Sequence, residues 1–290
     1  MSGPSPASVA VVSDSTCWLP DDVLERHDVA RVPLTVVLDD EAVLAHDLST
    51  TRLLDALRTR GARVTTSRPS PQQFTDTFRA VARRRDVRHV VAVLLSGRLS
   101  GTVEAARLAA QAVAADGLDV RVVDSRSLDA GLGFAVQAAC EEAEAGGGPD
   151  DVVSAASDAE LRTSLRLVVD DLEHLRRGGR IGAAAGWAAA ALSVKPLLHV
   201  VDGQVAPLGK VRTSSRAASR LADAVVAESA GGPVSVVVTH LDAQARAERL
   251  AEALAERLPS LRSVAVTETS AVVGAHVGPG AVGVASHRHA

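Results

Sequence analysis

His89-Val90-Val91-Ala92-Val93-Leu94-Leu95 runs straight into Ser96-Gly97-Arg98-Leu99-Ser100-Gly101-Thr102, and an alanine-rich stretch follows to about Ala115. A continuous apolar run of β-branched character, a turn of glycines and hydroxyls, then a helix-length segment is the signature of a strand buried on both faces. The unit recurs on either side. Val9 to Val12 ends at Ser13-Asp14-Ser15-Thr16, and Val120 to Val123 ends at Asp124-Ser125-Arg126-Ser127. Helical segments follow each of them, with Pro20 beside Asp21 and Asp22 and with Gly131 and Gly133 near their starts. Strand, polar turn and helix alternating in this way predict a parallel sheet flanked by helices.

Further expectations lie between these units. Arg31 to Leu38 reads as one strand, and Thr51 to Arg60 as an amphipathic helix stopped by Gly61. Val64 to Pro71 reads as a polar loop, and Ser70, Pro71 and Gln73 predict a capping box at the next helix. Gly146-Gly147-Gly148-Pro149 is a helix-to-helix turn near a lobe boundary.

The second half changes character. Apolar runs at Val194 to Val201 and Gln204 to Val211 flank Asp202-Gly203, a hairpin signal that requires antiparallel pairing. Strands are expected at Leu165 to Val169, Val234 to Thr239 and Val264 to Thr267, with a last one ending at Ala285. The fold class expected is therefore α/β in two lobes. An N-terminal α/β lobe spans residues 8–160, and an α+β lobe with a mixed or antiparallel sheet spans 161–286.

Composition sets limits on function. Hydrophobic residues make up 47% of the 290, but Phe, Trp and Tyr together only 2%, so the interior is aliphatic and suits an aliphatic ligand. A formal net charge of -4 disfavours broad attraction to nucleic acid or anionic membranes. Cys17 and Cys140 form neither a disulfide framework nor a CxxC pair, which fits a reducing, cytoplasmic compartment. The start MSGPSPAS lacks the basic and apolar regions of a signal peptide. The most apolar stretch, Ile181 to Leu198, contains Lys195 and Pro196 and falls short of a bilayer span, so no stable membrane insertion is expected.

Three loops concentrate hydroxyls and glycine: Thr66-Ser67, Ser96 to Thr102, and His276-Val277-Gly278-Pro279-Gly280. The first two lie at helix starts, where free backbone N–H groups and the positive end of the dipole favour an anion. The same residues also serve as ordinary caps and turn formers, so the residues alone leave both readings open. The histidines show no metal spacing. There is no GxxxxGK[ST] phosphate loop, no third glycine after Gly131 and Gly133, and no GxSxG elbow. Arg176-Arg177-Gly178-Gly179-Arg180 is basic, which fits either helix C-capping or a contact of Arg180 with a phosphate or an acidic partner, and Lys195, Lys210 and Arg212 fit either solvated surface or an extension of that positive face.

Taken in order, these pieces resemble the DegV family. Ser13-Asp14-Ser15-Thr16 resembles its DST opening, and Val32-Pro33-Leu34 its VPL strand. Thr66 to Ser70 resembles TSQPS with Arg68 for Gln. Ser96 to Thr102 resembles SSGLSGT with Leu95 at the first serine. Val123-Asp124-Ser125 resembles IDS, Gly178 to Gly182 resembles KGGRIG, Lys195 to Gly203 resembles KPIL…DG, and Gly274 to Gly280 resembles GTHVGPGA. The resemblance implies a long-chain fatty acid held in a buried tunnel, its carboxylate met by Thr66, Ser67, Ser96 and His276. It further implies a separate ATP-dependent fatty acid kinase that turns the carboxylate into an acyl-phosphate, with Arg180 and Arg212 contacting the phosphate or the partner. No cofactor other than the bound lipid is implied, and no catalytic residue. The competing reading is a stand-alone hydrolase or transferase using a Ser or Thr with His276 as base; a lipid-responsive regulator without a kinase is a third.

Overall fold

The computed structural model describes residues 8–187, 194–229 and 232–289. In chain order the elements are β1 (Val9–Asp14), α1 (Asp21–Arg26), β2 (Ala30–Val32), β3 (Thr35–Leu38), β4 (Glu41–Leu44), α2 (Thr50–Arg58), β5 (Val64–Ser67) and α3 (Pro71–Arg85). Then come β6 (His89–Leu94), α4 (Thr102–Ala114), β7 (Asp119–Asp124), α5 (Asp129–Glu144), α6 (Pro149–Leu161), β8 (Thr163–Val168) and α7 (Glu173–Arg177). A 3₁₀ turn at Gly182–Trp187 precedes β9 (Lys195–Val201), β10 (Gln204–Val211), α8 (Ser214–Ser229), β11 (Val234–His240), α9 (Gln244–Arg257), β12 (Leu261–Glu268), α10 (Ala271–Val277) and β13 (Val282–Arg288). The alanine-rich segment expected after Ala183 runs into 188–193, outside the described residues.

Two compact units result. One holds the chain up to Thr35 together with Ser67–Leu161; the other holds Val36–Thr66 together with the chain from Arg162 onward. A single cut between residues 160 and 161 does not reproduce them, because residues 36–66 group with the C-terminal half. Packing gives the reason: α2 lies against α10, and the side chain of Leu53 reaches Gly274.

The first unit carries the parallel sheet, in the order β2-β1-β6-β7. Ala10, Val12, Val90, Ala92 and Leu94 pack with Phe74, Phe78, Val81, Val103 and Ala106 of α3 and α4. Helices α5 and α6 cover the other face. Both faces are buried, which is why β1 and β6 are apolar without alternation.

The second unit carries a mixed sheet, β10-β9-β8-β13-β11-β12, in which only β11 and β12 pair in parallel. Leu221 and Val225 of α8, with Leu250 and Leu254 of α9, pack against Val236, Val238, Val282 and Val284. The hairpin turn forms as expected at Asp202 and Gly203, both at positive φ (48° and 75°). A smaller sheet, β4-β3-β5, completes the chain.

Three local expectations change. Arg31 to Leu38 is not one strand: Pro33, which lacks a backbone donor, separates β2 from β3. Val64 to Ser67 is a strand where a loop was expected. Residues 271–277 form a helix whose N-cap, Ser270, accepts the Val273 N–H (3.3 Å). Its seven residues are too few for a helical period to stand out from an apolar run.

Candidate functional site

Strand β5 puts Thr66 and Ser67 on opposite faces, since successive strand side chains alternate. Thr66 is half-buried and its Oγ1 lies 2.8 Å from Nε2 of His276, on α10. Ser67 is exposed, and its hydroxyl donates only a long bond to the Arg68 carbonyl (3.4 Å).

Glycines make the room for His276. Gly178 caps α7 so close to the ring that a Cβ there would lie 2.2 Å from Nδ1. Arg180 Nη1 donates to the Gly178 carbonyl (2.6 Å), which brings its charge near the imidazole. On the other side of the motif, Gly278 (φ 76°) leaves space for the His174 ring, and a Cβ at that position would sit 2.2 Å from it. Gly280 (φ 82°) sits against Asp170 and Arg246 and donates its N–H to the Leu241 carbonyl (2.8 Å). The HVGPG segment therefore requires both glycines for conformation and for close approach.

Burial, reinforced by the Arg180 charge, holds His276 well below its usual range, at about 4. The imidazole is neutral at ordinary pH. Its Nδ1 is buried with no hydrogen-bond partner among the described residues. A buried N–H without an acceptor is costlier than an idle lone pair. The proton therefore sits on Nε2 and is donated to Thr66 Oγ1, which leaves the Thr66 hydroxyl proton to give to a second acceptor. An uncharged imidazole thus orients one hydroxyl as a donor, with a guanidinium nearby.

The loop after β6 is built differently from the expectation. Leu95 N–H donates to Asp14 Oδ2 (2.8 Å), Ser96 N–H to the Ser127 carbonyl (2.8 Å) and Gly97 N–H to Asp124 Oδ1 (3.1 Å). Arg98 N–H goes to Ser96 Oγ (3.2 Å), and the N–H groups of Leu99 and Ser100 go to the Ser96 carbonyl (3.0 and 3.1 Å). Every amide from 95 to 100 is taken. The start of α3 is likewise closed by its own capping box, Ser70 with Gln73. The amides of the turn ahead of α4 are thus held by carboxylates and carbonyls, while the N-cap of α4, Gly101, adds no side-chain cap of its own.

Ser96 itself is fully buried. The side chain of Leu95 is buried too, and what it contributes to the loop is its amide. Arg68, the departure in the TSRPS stretch, lies across Gly101 and donates to its carbonyl (2.8 Å); a Cβ on Gly101 would meet the guanidinium at 2.5 Å. Asp14 is fully buried, and its carboxyl is pushed up by desolvation against the lowering effect of bonds from Leu95 and Thr16. Asp14 and Asp124 stand inside sequence motifs that by themselves assign them no task. The available signal was an Asp closing each apolar strand run.

Lys195 is paired with Asp170 (3.0 Å), which Arg246 also contacts (3.0 Å). Arg212 is exposed just past β10 and takes no part in the Thr66–His276 network. Among the described residues no cluster of three or more His, Cys, Asp or Glu is arranged to hold a metal, and no helix is long and apolar enough to cross a membrane.

Residues 8–288 match the family profile described as "Uncharacterised protein, DegV family". The chain belongs to the DegV family. A DegV domain-containing protein of Streptomyces coelicolor is 46% identical over 95% of this chain and 97% of that one. One from Mycobacterium tuberculosis is 39% identical over 96% of each. Among solved structures, a fatty-acid-binding DegV family protein from Thermus thermophilus superposes with a TM-score of 0.90 at 32% identity, covering 97% of this chain and all of that one. DegV of Bacillus subtilis, a fatty acid binding protein, gives 0.88 at 28% identity over 98% of this chain and all of that one. The two-lobed DegV architecture and the mixed α/β class are those expected from the sequence.

Proposed function

We propose that this DegV protein binds one long-chain fatty acid in a buried tunnel and presents its carboxylate to a separate ATP-dependent fatty acid kinase, which makes an acyl-phosphate for lipid synthesis. The observation that carries the reading is the Thr66–His276 pair, a hydroxyl donor oriented by a neutral imidazole with Arg180 close by. A carboxylate taken out of water needs several converging donors, and charge-assisted ones are the stronger. The full-length likeness to fatty-acid-binding relatives from Thermus thermophilus and Bacillus subtilis supports the class of ligand. Each buried methylene of an acyl chain contributes roughly 0.8 kcal/mol, so the tail supplies affinity and the head group supplies orientation.

In this proposal Thr66 donates to the carboxylate, His276 acts behind it by orienting that hydroxyl, and Ser96 is a second donor; Ser67, also implied by the family motifs, faces the other way on β5 and is left outside the set. Arg180 balances charge on the carboxylate or its phosphorylated form, and Arg212 serves as a contact for the kinase. The protein itself performs no catalysis and works in the cytoplasm.

Stand-alone hydrolysis is the weaker reading. An imidazole with its pKa near 4 is a poor general base at neutral pH, and its Nδ1 lacks the orienting carboxylate that a triad requires.

Native mass spectrometry of the purified protein tests the proposal. One fatty acid of discrete mass per chain is expected. A chain that carries none, and takes none up from added palmitate or oleate, ends the carrier reading. Acyl-phosphate formation by a co-purifying kinase should fall when Ser96 or His276 becomes Ala.

A further inference from the structure

We infer that Asp14 and Asp124 are positioning residues for Ser96, one carboxylate fixing the backbone on each side of it. The inference rests on the proposal that Ser96 meets the lipid head group. Topology brings the two acids together: β6 lies between β1 and β7, and each of those neighbours ends on an aspartate. Leu94 pairs with Asp124 across β6 and β7, and β1 pairs with β6 through Val12 and Ala92, two residues before Asp14. Both side chains therefore stand where the central strand turns into the Ser96 loop.

Each is itself held. Asp14 Oδ1 accepts the Thr16 N–H (2.9 Å) and the Thr16 hydroxyl (2.6 Å), leaving Oδ2 to take the Leu95 N–H (2.8 Å). Asp124 Oδ1 accepts the N–H groups of both Arg126 (2.9 Å) and Gly97 (3.1 Å). Gly97 is what lets the second acid approach, since a Cβ there would lie 2.8 Å from Asp124 Oδ2. With the Ser96 N–H on the Ser127 carbonyl, three successive amides point at fixed acceptors. The backbone of Ser96 is pinned, and the Arg98 N–H on Oγ sets its rotamer. These three amides serve the fold, and Ser96 meets the ligand, in the proposal above, through its side chain. Replacing either carboxylate leaves an amide without its acceptor and lets the hydroxyl wander, a misplacement that costs affinity without removing a ligand atom.

A double-mutant cycle tests this. Asp14→Asn, Asp124→Ala and Ser96→Ala are made singly and in pairs, and the dissociation constant of cis-parinaric acid is measured by its fluorescence, with thermal unfolding followed for each variant. Each aspartate variant is expected to weaken binding about fivefold in the native background and to change it by less than about twofold in the Ser96→Ala background. Equal losses in both backgrounds would show that the acids act independently of Ser96 and overturn the inference alone. A Ser96→Ala protein that binds like the native one removes Ser96 from the head-group site, and the positioning role falls with it. If the fully buried Asp14 cannot be replaced without unfolding, the half-buried Asp124 carries the cycle by itself.

Discussion

Thr66 Oγ1 and His276 Nε2 lie 2.8 Å apart although 210 residues separate them in the chain. Both belong to the second compact unit, because residues 36–66 fold with the C-terminal half. A neutral imidazole is thereby turned into a support for a hydroxyl donor, and its neutrality has a measurable consequence.

His276 sits at about 4 in the folded protein and near 6.5 in the unfolded chain. Between these values the unfolded state takes up the proton and the folded state does not, so stability rises with pH. The contribution is complete above pH 6.5 and is lost as pH falls toward 4, amounting to on the order of 3 kcal/mol over that window. Urea denaturation of the native protein and His276→Gln at several pH values should show a shallower pH slope in the variant. Identical slopes would mean that the imidazole titrates normally in the fold.

Replacing Thr66 by Val keeps the shape and deletes the donor. Affinity for cis-parinaric acid should fall about tenfold, the worth of one charge-assisted hydrogen bond at the weaker end of its range. Thr66→Ser should retain most of the binding. Should the Val and Ser variants bind alike, the hydroxyl has no part in the head-group site.

Gly133 lies inside α5, yet a Cβ at this position would sit 1.9 Å from the Trp18 carbonyl oxygen. The obstacle is backbone, so the helix itself has to move, and Gly133→Ala should lose roughly 1–3 kcal/mol. Gly186, where an added Cβ would meet nothing within 4 Å among the described residues, serves as the control. Chemical denaturation that finds no difference between the two alanine variants would contradict the close approach of α5 to the Trp18 turn.

Arg166 of β8 is buried with its Nη2 on Glu228, while its Nε and Nη1 have no partner among the described residues. Desolvation pushes its pKa down. A half-satisfied buried cation is poor support for a fold, and removing its one partner is worse than removing the charge. Glu228→Ala should therefore destabilise more than Arg166→Met, which should be close to neutral. Denaturation midpoints in the reverse order would refute this account.

Much of the architecture was legible along the chain. Apolar runs such as Val9 to Val12 and His89 to Leu95 announce strands buried on both faces, and Asp202-Gly203 announces its hairpin, because these signals are local. The elements missed are those whose cause is tertiary. Residues 271–277 form a helix on an apolar run too short to show a period. Pro33 splits a strand that composition alone presents as continuous. Residues 36–66 join the far half of the chain because Leu53 finds Gly274 there.

The candidate site divides in the same way. Hydroxyls at Thr66, Ser67 and Ser96 and an imidazole at His276 could be read from the order of the motifs. Their pairing could not, since a contact across 210 residues leaves no periodic trace. The setting of Ser96 also came from tertiary structure. Sequence alone offered free amides at a helix start, inviting an anion. The sheet order β2-β1-β6-β7 sets Asp14 and Asp124 on either side of the turn ahead of that helix, and their carboxylates hold the amides of Leu95 and Gly97. Local chemistry determined which groups this DegV protein can offer a ligand, while strand order decided which of them were already spent.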